Sequence, residues 1–218
     1  MRQEQEIKGF TIFELLVVIA IIGIISAVGY PNFSNWNKER EVRVGTENIF
    51  SLMNNIVAQT KRGNYAYVQV EVSFPSNQLT FVSKGMKKDT MGKELNKPAK
   101  SRKLNCDSQV PWDNVLINKY EPEIISINFN ENGAVCFSQD GTYYKIEGKI
   151  TKNINLFIEN RKLGKKDYII ICHQKDAIKN ICPAQKSLTK DQPAYLIEWS
   201  RFGTLSKFKW DGNAWRRV

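Results

Sequence analysis

Glu14 is the one strongly polar side chain between Phe10 and Tyr30, and it stands at the edge of the apolar run Leu15-Leu16-Val17-Val18-Ile19-Ala20-Ile21-Ile22-Gly23-Ile24-Ile25. A charged carboxylate in lipid costs about 3 kcal/mol on insertion scales, so Glu14 needs a counter-charge or a place close to the membrane interface. Its chemistry is ion pairing. The other groups able to do chemistry are Cys106, Cys136, Cys172 and Cys182, with the single histidine His173. No Cys-x-x-Cys occurs, and one histidine does not complete a mixed Cys/His zinc set, so disulfides in an oxidising compartment are expected and no metal. Four cysteines allow three pairings; the nearest-neighbour one, Cys106 with Cys136 and Cys172 with Cys182, is preferred. His173, beside Cys172 in a β-like run, reads as a structural residue. There is no nucleophile elbow, phosphate-binding glycine loop or zinc-protease motif, so no enzyme and no cofactor are expected.

A helix of about 20 residues rising roughly 1.5 Å per residue crosses a hydrocarbon core, so one membrane helix is expected over residues 10–30. Pro31 follows it and is expected to bend or loosen the helix there, because proline lacks a backbone donor and crowds the preceding turn. Beyond it, Ile49, Leu52, Met53, Ile56 and Val57 recur at three- and four-residue spacing, an amphipathic stripe over 31–62 that ends near Lys61 with Gly63 as its stop. After Gly63 the pattern turns strand-like. Tyr65–Val72 and Gln78–Val82 flank the turn Pro75-Ser76-Asn77 as one hairpin. Ile124–Phe129 and Ala134–Phe137 flank Asn132-Gly133 as a second. Tyr143–Ile146, Tyr168–Cys172, Tyr195–Trp199 and Leu205–Trp210 complete a β-rich head over 63–218. The expected class is α+β, a long N-terminal helix packed on a β-rich head.

The stretch Lys8-Gly9-Phe10-Thr11-Ile12-Phe13-Glu14 before the apolar run resembles the class III signal of type IV prepilins. That resemblance implies a leader over 1–9, cleavage between Gly9 and Phe10 by prepilin peptidase, N-methylation of Phe10, and Glu14 as the acid that registers subunits against a neighbour's N-terminal amine. It implies a structural subunit in the inner membrane, single-pass, with its head in the periplasm, and in a pilus or pseudopilus after assembly with other pilins. An ordinary secretory signal would instead carry its cleavage site after the apolar part. Within the leader, Arg2 and Lys8 are balanced by Glu4 and Glu6, so orientation follows from the motif. The segment Ile127–Gly133 and a terminal strand pair containing Phe202-Gly203 resemble the GspH/FimT group of minor pilins and pseudopilins.

The net charge of +10 suits anionic partners: DNA, lipopolysaccharide, membrane surfaces or acidic subunits. Lys84 to Lys103 reads as a long exposed basic loop, and Arg161-Lys162-Leu163-Gly164-Lys165-Lys166 as a charged turn. In Lys207-Phe208-Lys209-Trp210, strand alternation puts lysines on one face and aromatics on the other, while Arg216 and Arg217 follow the turn Asp211-Gly212-Asn213. Lys207, Lys209, Arg216 and Arg217 are the candidate DNA-binding residues. Some FimT-like minor pilins bind DNA through a Gly-Arg-x-Arg motif; here Gly212-Asn213-Ala214-Trp215-Arg216-Arg217 has the arginines without that spacing. The competing reading closes the head's core with Trp210 and Trp215 and leaves the arginines merely exposed.

Overall fold

The computed structural model describes residues 11–98, 101, 112–129, 132–138, 143–145, 167–183, 187–200 and 203–218. The chain forms two compact units, one ending at Lys38 and the other comprising Glu39–Val218. Helix α1, Ile12–Lys61, contributes its first part to one unit and the rest to the other, and its helical assignment continues through Pro31.

In the larger unit, Val42, Ile49, Met53, Ile56 and Val57 of α1 are buried, with Leu52 half-buried against the same core. Thr46 and Thr60 lie on the buried side as well, and each hydroxyl donates to the carbonyl one turn back, Val42 at 2.7 Å and Ile56 at 3.1 Å. That local bond removes the cost of an unpaired buried hydroxyl. The helix stops as its sequence expects. Gly63 takes a positive φ of 81°, its N–H donates to Thr60 O and the Asn64 N–H to Gln59 O. The paired bonds form a Schellman cap that only a residue without Cβ adopts at little cost.

Two antiparallel sheets follow. The first has the order β3-β2-β1-β5-β6, built from β1 (Tyr67–Ser73), β2 (Thr80–Met86), β3 (Asp113–Tyr120), β5 (Gly133–Ser138) and β6 (Tyr143–Lys145). The second has the order β10-β9-β8-β7-β4, from β4 (Ile125–Ile127), β7 (Asp167–His173), β8 (Ala194–Trp199), β9 (Leu205–Trp210) and β10 (Trp215–Arg217). The β1–β2 hairpin forms across Pro75-Ser76-Asn77, with Ser73 opposite Thr80. One core joins the sheets to α1: Val68, Val70 and Val72 of β1 meet Ile169 and Ile171 of β7 and Ile197 of β8 around the helix stripe. Gly45 allows the helix to approach β4 closely, since a Cβ there would stand 2.8 Å from Ile125 Cδ1.

Three expectations are corrected. The hairpin across Asn132-Gly133 does not form: β4 pairs with β7 in the second sheet and β5 with β1 in the first. Both segments are buried, so each needs a partner on a different sheet, and two asparagines carry the chain across. Asn128 exchanges bonds with Ile170, its N–H donating to the carbonyl and its Oδ1 accepting the amide, while Asn132 Oδ1 accepts the Phe74 N–H. Second, the stretch from Lys84 is not all loop. Lys84 belongs to β2 and pairs with Glu71, and α2 (Lys88–Leu95) turns back with buried Glu94 pairing to Lys97. Third, β3 has no counterpart in the sequence expectation, because Asp113, Asn114, Asn118 and Lys119 dilute its Val115-Leu116-Ile117 run.

The Cys172–Cys182 disulfide is present, with Cα atoms 5.8 Å apart. It ties down a strap whose Cys182 N–H donates to Ile127 O at 2.8 Å, covering the outer edge of β4. Cys136 is disulfide-bonded and Cys106 lies outside the described residues. A loop closed over a sequence separation of 10 limits the unfolded chain by about 3 kcal/mol. The variant C172A/C182A is therefore expected to melt roughly 6–10 °C lower, measured by thermal unfolding under non-reducing conditions.

Gly85 gives a second test. A Cβ there would stand 2.5 Å from the ring of buried Tyr65. Gly85→Ala is expected to cost about 1–3 kcal/mol, as other overpacked cores do, and a denaturation midpoint equal to the parent's would contradict that packing.

Candidate functional site

In the smaller unit every side chain described from 11 to 27 is exposed, including Ile12 at 81% and Phe13 at 76%. A run of exposed Leu, Val and Ile of this length is far larger than the scattered apolar residues of an ordinary soluble surface, and marks a face meant to be covered. Thr11 starts the helix. Its Oγ1 accepts the Glu14 N–H at 3.2 Å, and its carbonyl accepts the Leu15 N–H at 3.1 Å. Thr11 is thus an N-cap residue that sequence reading passed over, although the Thr-x-x-Glu spacing is a recognised signal for it.

Glu14 falls in the first turn, where the helix dipole favours a carboxylate, and its side chain has no partner among the described residues. The site therefore holds one unpaired acid beside an uncovered apolar surface. Gly9 and Phe10 lie outside the described residues. Among the described residues no helix is long and apolar enough to cross a membrane. The described apolar side chains run over 12–27, which at 1.5 Å per residue reaches about 24 Å. Farther along, the rings of exposed Phe33 and Trp36 lie tilted against each other with centroids 5.9 Å apart.

The basic hairpin lies in the larger unit, and its alternation is as the sequence expects. Pairing of Tyr195 with Lys209 and Ile197 with Lys207 places both lysines on the face of the second sheet that meets α1. Lys207 pairs with Glu47 and Lys209 with Glu39 of that helix, and Lys207 Nζ also stands 5.5 Å from the Phe50 ring centroid. A phosphate would have to displace both carboxylates. On the opposite face, buried Trp210 donates Nε1–H to Thr189 O at 3.0 Å and packs on Trp215 at 5.3 Å between centroids. The aromatics close a core cluster with Leu188 and Ala194.

Asp211 organises the turn between β9 and β10. Its Oδ1 accepts the Asn213 and Ala214 N–H groups at 2.9 and 2.7 Å, and its Oδ2 pairs with Arg216. Those backbone donors, then the guanidinium, hold its carboxyl down at about 2. Arg216 thus answers its own turn, while Arg217 is exposed and unpaired among the described residues. His173 is 3% exposed; its Nδ1 accepts the Lys175 N–H at 3.0 Å, which leaves Nε2–H to donate to Glu41 at 3.0 Å. Both ring nitrogens are used structurally. Burial pushes the Tyr168 hydroxyl up to about 12. Among the described residues no group of three or more His, Cys, Asp or Glu side chains could hold a metal ion.

Residues 7–30 match the family described as the prokaryotic N-terminal methylation motif. The chain is 30% identical over 70 residues to the type IV major pilin protein PilA of Myxococcus xanthus, a stretch covering 31% of each chain. It is 46% identical over 35 residues to the type IV major fimbrial protein FimA of Dichelobacter nodosus, 16% of this chain and 22% of that one. A fimbrial protein of Pseudomonas aeruginosa is 36% identical over 45 residues, 21% of this chain and 29% of the relative. The chain thus spans less than a third of the length of these relatives. No solved structure matches it. The first turns of the uncovered helix, with their lone acid, thus fall inside the segment that matches the prokaryotic N-terminal methylation motif, and over 35 to 70 residues the chain is similar to type IV pilin and fimbrial proteins.

Proposed function

We propose that this protein is a minor pilin or pseudopilin, most like the GspH/FimT group. It is cleaved after Gly9, methylated on Phe10, and built through α1 into a type IV pilus or type II secretion pseudopilus. The observation that carries this reading is the fully exposed apolar surface over 12–27 with Glu14 as its one unpaired charge, inside a segment matching the N-terminal methylation motif. Lipid covers that surface first, over residues 10–30, with the head in the periplasm. Neighbouring helices cover it after assembly, where the new amine on Phe10 supplies the counter-charge that Glu14 lacks. The GspH/FimT assignment draws support from the segment Ile127 to Gly133 and from the strand pair β8–β9, whose connection contains Phe202-Gly203.

Processing is the direct test. Co-expression with prepilin peptidase should remove residues 1–9 and leave N-methylated Phe10 in the mass spectrum, and Gly9→Val should block both. An intact Met1 while a control prepilin is cut would sink the reading.

Glu14→Ala separates insertion from assembly. Removing an acid from lipid favours insertion by a few kcal/mol, so the variant should be processed and membrane-bound, yet depleted at least tenfold from sheared filaments. Normal incorporation would show that Glu14 has no part in subunit registration.

A further inference from the structure

We infer that the larger unit carries a binding pocket for a neutral polyhydroxylated ligand, one hexose or N-acetylhexosamine ring of a glycan. This goes beyond the filament reading and does not depend on it. The pocket, about 250 Å³, opens where the β1–β2 turn, the segment leading into β4 and the disulfide-tied strap converge. Its volume falls just below the usual range for small-molecule sites, about 300–1,000 Å³, and matches a single ring better than a chain.

The lining selects the chemistry. Asn77, Gln78, Glu123, Ser126, Gln174 and Asn180 face the space, and none of their side chains has a hydrogen-bond partner among the described residues. Ser126 is the informative one. The residue is only 5% exposed, the least of the six. Amides and hydroxyls donate and accept at once, as sugar hydroxyls do. Leu79, Pro122 and Ile125 give an apolar floor for the C–H face of a ring, and half-buried Phe74, braced edge-on by Phe129, closes one side.

Charge disfavours an anion. In a chain of net charge +10, Glu123 lines the pocket and, among the described residues, no lysine or arginine does, Lys179 standing only at the rim beside Asn180. The rims are held in unusual backbone: Ser76 and Asn77 on one side, Lys179 and Asn180 on the other, have φ of 51°, 66°, 53° and 62°. Non-glycine residues in this region cost about 1–3 kcal/mol each when bulky, less for Asn, and cluster at ligand clamps.

The test is saturation-transfer NMR on the full chain in a non-glycosidic zwitterionic detergent, with N-acetylglucosamine and methyl glucoside as probes and glucose 6-phosphate as the anionic counterpart. Both neutral sugars should show saturable transfer, with the phosphate at least tenfold weaker. Ser126→Ala and Gln174→Ala should each weaken binding about tenfold, the value of one lost hydrogen bond, with the melting temperature unchanged. Gln174 is exposed, so its variant folds whatever Ser126→Ala does. Transfer to neither neutral sugar, equal binding of the phosphate, or affinities unaltered in both variants would each overturn the proposal.

Discussion

Burial of the α1 stripe against the inner faces of two sheets is the interaction on which the head depends. Val42, Ile49, Met53, Ile56 and Val57 together remove on the order of 10 kcal/mol of apolar surface from water. Neither sheet has another apolar layer of that size among the described residues to cover its inner valines and isoleucines. The same helix presents an uncovered apolar surface in its first part, so one element carries both the core of the head and the surface proposed for assembly.

Charge placement follows from this. Once α1 lies on the second sheet, Glu39, Glu41 and Glu47 meet Lys209, His173 and Lys207. Each lysine pair contributes less than about 1 kcal/mol, because its carboxylate remains partly solvated, while buried His173 donates Nε2–H to Glu41. These pairs also consume the two lysines that alternation alone offers to a ligand. The excess positive charge is thus less available on this hairpin than composition suggests, and Arg217 is the side chain there that remains open.

The sheet switch between β4 and β5 has a similar logic. A short strand buried on both faces needs partners on its own level, and β4 finds β7 while β5 finds β1. The strap from 174 to 183 then covers the open edge of β4, which guards against edge-to-edge association. By closing that edge, the strap also completes the wall of the pocket.

What the residues alone determined is local or one-dimensional. An apolar run with one acid, a helical stripe ended by Gly63, period-two strands and the Cys172–Cys182 disulfide all follow from spacing and backbone preference, and needed no partner to be legible. Thr11 was legible too, through Thr-x-x-Glu. The tertiary structure alone decided which strands pair, since Asn132-Gly133 favours a tight turn yet cannot outweigh burial of β4 and β5 on different sheets. It alone decided that Lys207 and Lys209 answer carboxylates 160 and 170 residues away. It alone gathered Ser126, Gln174 and Asn180 around one cavity, because such contacts depend on how layers stack, and stacking is set by the sum of all buried surface, which no short stretch of sequence contains.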